Sequence, residues 1–123
     1  MDQSTLVLSC LLLILFQVFH IFEEIAGRAY ELAGSLKTYL FAASGLVSLN
    51  VLFLALIVLD LRAGYFLGLV GATIAIINGL VHLIGYARTG SYRQGIGAGL
   101  FTGVPLALAG GAVLVQLIQA IAT

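Results

Sequence analysis

Four uninterrupted apolar runs, each long enough to cross a bilayer, leave this chain few folds to choose from. They cover residues 5–25, 38–59, 65–86 and 96–121. A hydrocarbon core about 30 Å thick takes about 20 residues of helix rising 1.5 Å each. A transmembrane strand needs about half that length and alternates apolar with polar residues. None of the four runs alternates. Inside lipid the backbone finds no water, so a span of this length must close its own hydrogen bonds as a helix. The sequence therefore predicts an all-α fold, a polytopic membrane protein built as a bundle of four transmembrane helices. Residues 1–123 form a single domain, with connections at 26–37, 60–64 and 87–95.

Composition agrees. The chain is 62% hydrophobic and 8% charged, where a soluble domain carries about 25% charged residues. The lipid bilayer is thus the expected partner of most of its surface. The formal net charge is zero, and phosphate recognition needs a surplus of Lys and Arg, so no nucleic-acid partner is expected. Cys10 is the only cysteine; it has no partner for an intrachain disulfide and reads as a small buried hydrophobe. The first run does not read as a cleaved signal. Asp2 precedes it with no Lys or Arg, and Glu23 and Glu24 follow it in place of a small-residue cleavage site.

Basic residues set the expected orientation. The first and third connections, with the helix ends beside them, hold Arg28, Lys37, Arg88 and Arg93, whereas the opposite side holds only Arg62. Excess basic charge stays cytoplasmic. Both termini are therefore predicted outside, with the first and third connections in the cytoplasm. Small residues suggest how the helices meet. Gly95, Gly99, Gly103, Ala107 and Gly111 recur every four residues of the last run. Such a ridge serves either packing within the chain or a homo-oligomer seam through Gly95, Gly99 and Gly103. In the third run Gly71, Ala75, Asn78, His82 and Gly85 share one face.

Polar residues inside spans are costly and read as functional by default. The first run ends in Phe19–His20–Ile21–Phe22–Glu23–Glu24. His20 lies three and four residues from the two acids and so neighbours both on the helix surface. Gln17 extends that face inward, and Asn78 and His82 form another pair four apart on the third run. The first and third helices run the same way, so these pairs fall at one depth, with Ser44 and Thr102 near the same level. The layer lies nearer the cytoplasmic leaflet. Asn50, in the middle of the second run, reads as packing glue. A hydrated helix end at Glu23 and Glu24, and an interhelical hydrogen-bonding pair at Asn78 and His82, are the bland alternatives.

The His20–x–x–Glu23–Glu24 run resembles the signature of the HXXEE family of small bacterial integral membrane proteins. Asn78–x–x–x–His82 resembles the family's second polar motif, and Pro105 its last-helix proline. Tyr92–Arg93–Gln94–Gly95 is similar to the Tyr–x–Pro–Gly turn before the last span, although Gln94 stands at the proline position. The resemblance covers nearly the whole chain. It implies a multi-pass protein of a bacterial inner (plasma) membrane, without supplying a reaction.

These residues admit three readings. In the first, His20, Glu24 and His82 bind a divalent metal, zinc or iron by ligand type, next to a lipid or other hydrophobic small molecule. In the second, His20, Glu23 and Glu24 are catalytic groups in metal-free acid–base chemistry on such a molecule. Asn78 and Gln17 would contact the cofactor or ligand in either case. In the third there is no enzyme: the cluster binds a cation or proton for transport, or the bundle is an accessory subunit of a membrane complex. A carboxylate-bridged di-iron centre needs more acids than these spans carry.

Overall fold

The computed structural model describes residues 3–122; Met1, Asp2 and Thr123 lie outside them, including the Asp2 used in weighing a signal sequence. Four α-helices make up most of the described residues: α1 (Gln3–Ala26), α2 (Leu36–Val58), α3 (Arg62–Thr89) and α4 (Leu100–Ala122). All four are long and apolar enough to cross a membrane. No strand occurs among the described residues.

The helix ends follow local chemistry. Ser35 starts α2, its hydroxyl accepting from the Thr38 N–H at 3.1 Å, the usual service of a capping serine. Gly90, in the left-handed region at φ 67°, ends α3 and returns its N–H to the Tyr86 carbonyl at 2.8 Å. The turn into α3 is tight: a Cβ at Gly64 would come 2.7 Å from the Ile57 nitrogen. One boundary departs from the sequence reading. The fourth apolar run was expected to be helical from residue 96, but α4 begins at Leu100. Gly95 and Gly99 take φ of +66° and +100°, which no continuous right-handed helix contains. These two glycines therefore precede the helix and shape the connection leading into it.

In cross-section the helices form a ring in chain order, with α1 and α3 on one diagonal. The α3–α4 pair is the most intimate. A Cβ at Gly79 would strike the Gly103 carbonyl oxygen and lie 2.7 Å from Ala107 Cβ, and one at Gly110 would lie 2.9 Å from the Ala72 oxygen. Close backbone approach through small residues is how helices associate where lipid removes the hydrophobic drive. Of the two uses open to the α4 ridge, Gly99 and Gly103 serve the first: both are buried inside this chain. Large apolar side chains such as Phe41, Leu108 and Phe22 stand exposed on the outside, at 85%, 71% and 63%, as lipid-facing residues do. Leu6, Leu13, Phe53, Ile57, Leu106 and Leu117 fill the interior toward the end away from the acids.

The first and third connections pack together. Gly95 donates to the Gly27 carbonyl at 3.3 Å, and a side chain at Gly27 would overlap Ala98. This contact brings the segment before α4 against the end of α1, where the acids sit.

Candidate metal centre

His20 and His82 meet on the bundle axis. Their rings are 4.7 Å apart between centroids and nearly perpendicular at 76°, and both are buried. His20 lies six residues before the end of α1 and His82 seven before the end of α3, so they sit about 9 and 10.5 Å inside their helix ends. Glycine makes the room. A Cβ at Gly99 would fall 2.8 Å from His20 Cε1 and 3.0 Å from His82 Cε1, and one at Gly103 3.3 Å from His20 Cε1.

Glu24 lies between the imidazoles. One carboxylate oxygen is 3.0 Å from His82 Nε2, and the other is 3.6 Å from His20 Nε2. That second oxygen also accepts from the Tyr39 hydroxyl at 2.6 Å. The remaining ring nitrogens fix the tautomers. His82 Nδ1 is 2.8 Å from the Ile96 carbonyl, which can only accept, so Nδ1 carries the hydrogen. His20 Nδ1 is 3.1 Å from Thr102 Oγ1. That hydroxyl's own hydrogen goes to Glu23, so His20 Nδ1 donates as well. Both Nε2 atoms then face the Glu24 carboxylate. With each ring neutral, three Lewis bases converge, an arrangement that a proton on His82 Nε2 relieves in part and a cation shared by all three relieves fully.

The donor atoms of His20, Glu24 and His82 lie within 4.8 Å of one another. Ligands of a tetrahedral zinc lie about 3.3 Å apart, a value bracketed by the contacts that the two oxygens of Glu24 make, 3.0 Å to His82 and 3.6 Å to His20. The group could hold a metal ion.

Glu23, adjacent in sequence, faces elsewhere. Its carboxylate accepts from the backbone N–H groups of Phe101 at 3.1 Å and Thr102 at 2.8 Å, and from the Thr102 hydroxyl. These are first-turn donors of α4, which have no intrahelical partner. The residue in the capping position is Gly99, which has no side chain to offer, so α1 provides the cap from across the bundle. A carboxylate there also complements the positive end of the helix dipole. Read as a catalytic group from sequence, Glu23 stands in the structure as a capping group. It touches the centre only through Thr102 and His20.

The other residues singled out from sequence divide. Thr102 joins the network, whereas Ser44 is exposed on α2. Gln17 is buried with its Oε1 unpartnered. Asn78 borders the His20 ring without giving Nε2 a well-formed hydrogen bond. Asn50 is fully buried beside Gly71, but neither amide atom has a partner, so it does not tie helices together by a hydrogen bond. Tyr39 escaped the sequence reading. Its signal was depth: it lies three residues into α2 and Glu24 two residues before the end of α1, helices joined by a short connection.

No family model, curated protein or solved structure matches this chain. The resemblance to the HXXEE family thus rests on its motif residues alone, and the chemistry must be argued from the geometry.

Proposed function

We propose that the bundle holds a divalent metal, zinc or iron, on His20, Glu24 and His82, and acts with it on a lipid or other hydrophobic small molecule. The observation that carries this reading is the pair of inward Nε2 atoms either side of one carboxylate. A proton on His82 Nε2 would satisfy only the Glu24–His82 contact. It would leave His20 Nε2 buried without a partner, at a cost of about 1–3 kcal/mol. A divalent ion would be held by all three donors and, when bound, would supply Lewis-acid activation of a water or substrate oxygen. Nδ1 hydrogen bonds to a carbonyl and to a Thr–carboxylate relay are the partners that orient metal-binding imidazoles.

The test is metal analysis of protein purified in detergent without chelators. About one zinc or iron per chain is expected. His20→Ala, Glu24→Ala and His82→Ala should each release it while the helices stay inserted, because two donors hold zinc poorly. Wild-type protein without stoichiometric metal would defeat this reading. The Glu24–His82 pair would then be read as a proton-exchanging couple, for acid–base catalysis or for transport.

The same proposal places the chain in a bacterial inner membrane as a member of the HXXEE family, with the centre in the cytoplasmic leaflet. Arg28, Lys37, Arg88 and Arg93 on the centre's side, against Arg62 on the other, support that orientation. A reporter fused after Thr123 should then be active only if it works outside the cytoplasm. Cytoplasmic activity there would move the centre to the outer leaflet.

A further inference from the structure

The first half of α2 stands away from the bundle. From Leu36 to Leu49 no residue is buried, whereas Asn50, Phe53 and Ile57 further along are. The gap is a cleft of about 310 Å³ between α1, α2 and α3. Ile21, Leu46, Ile74 and Val81 are among its apolar walls, and its polar groups are Gln17, Glu24, Tyr39 and Asn78. Ile74, Ile77 and Val81 are also exposed on the outer surface, so the mouth faces the hydrocarbon of the membrane. Of the three donors at the centre, only Glu24 lines the cleft. The cleft is therefore the way from lipid to the centre.

Its lining restricts what can enter. No Lys or Arg lines the wall, so no side chain there pairs with an anionic head. The volume is at the lower end for a small-molecule site, too small for a phospholipid headgroup with its chains. Gln17 is 2% exposed and its Oε1 accepts from nothing. A buried acceptor left unpaired favours an occupant that donates a hydrogen bond. We propose that the cleft takes a long-chain alcohol from the bilayer, its chain against the aliphatic walls and its hydroxyl donating to Gln17 beside Glu24. This deepens the proposed function and rests on it for the chemistry, although binding in the cleft does not itself need the ion.

The probe is a long-chain alcohol carrying a chain diazirine, photolysed with the detergent-purified full chain. The matching alkane, which carries no hydroxyl, is the comparison, and metal content is read on the same samples. Labelled peptides are expected from α1, α2 and α3 around the cleft, with the alkane labelling about fivefold less, the loss of one hydrogen bond. Ala43→Trp fills the cleft and should cut labelling about tenfold, and Gln17→Leu about fivefold, the loss of one hydrogen bond. Ala42→Met, a milder filling, guards against misfolding of the Trp variant and should also reduce labelling. Metal content should not change in any of these variants. Equal labelling by alkane and alcohol, or undiminished labelling in both filled variants, overturns the proposal. A metal-free wild type that still labels selectively overturns the metal reading alone.

Discussion

Glu23→Ala is expected to melt well below the wild type and to lose its metal, although Glu23 is not a ligand. The carboxylate accepts three hydrogen bonds from the start of α4. The Phe101 N–H is exposed and can turn to water or lipid headgroups. Both Thr102 donors are partly buried; the hydroxyl can turn to His20, but the N–H left unpaired costs about 1–2 kcal/mol. Loss of the negative charge at the helix N-terminus adds about 0.3–1 kcal/mol. The sum, about 1–3 kcal/mol, should appear as a clear drop in thermal midpoint in detergent. The released Thr102 hydroxyl would then be free to donate to His20 Nδ1 and so change the ring's tautomer. Losing such an outer partner costs about 10–100-fold in metal affinity. Glu23→Gln keeps one acceptor oxygen and should fall between the two. A Glu23→Ala protein that melts like wild type and retains metal would show that the cap does neither job.

Gly99→Ala should empty the centre by crowding it. The added methyl would sit 2.8–3.0 Å from both imidazoles, and the residue would have to hold a φ of +100°, which L side chains rarely adopt. Backbone strain of about 1–3 kcal/mol and a similar overpacking cost reinforce each other, because the imidazoles cannot withdraw into a buried wall. Loss of bound metal and a lower thermal midpoint are expected. Gly111→Ala is the matched control. It belongs to the same four-residue recurrence, but a Cβ there meets nothing within 4 Å, inside a regular helix where alanine is favoured over glycine by about 1 kcal/mol. It should leave the metal in place and the protein as stable or slightly more so. Equal effects of the two changes would refute the packing assignment of Gly99.

That contrast marks where sequence reasoning stops. The recurrence of Gly95, Gly99, Gly103, Ala107 and Gly111 implies a close approach along one stripe. It does not reveal that the stripe spans a break, with Gly95 and Gly99 before the helix and Gly111 in open space. Positive φ at the break is a backbone property that glycine permits and does not declare.

By itself the sequence determined the four helices, because apolar runs of this length have one way to satisfy their backbone in lipid. It also determined that His20 and Glu24 share a face, since residues four apart on a helix must. The equal depth of His20 and His82 followed from residue counts along helices running the same way. Tertiary structure alone decided the separate fates of Glu23 and Glu24. Adjacent side chains leave a helix about 100° apart, and only the position of α4 says that one direction ends in unpaired N–H groups and the other on the bundle axis. Tyr39, the Ile96 carbonyl and the cleft beside α2 belong to that same category. Each depends on how far one helix stands from another, a distance set by side chains meeting across the bundle and not by the order of residues within any helix.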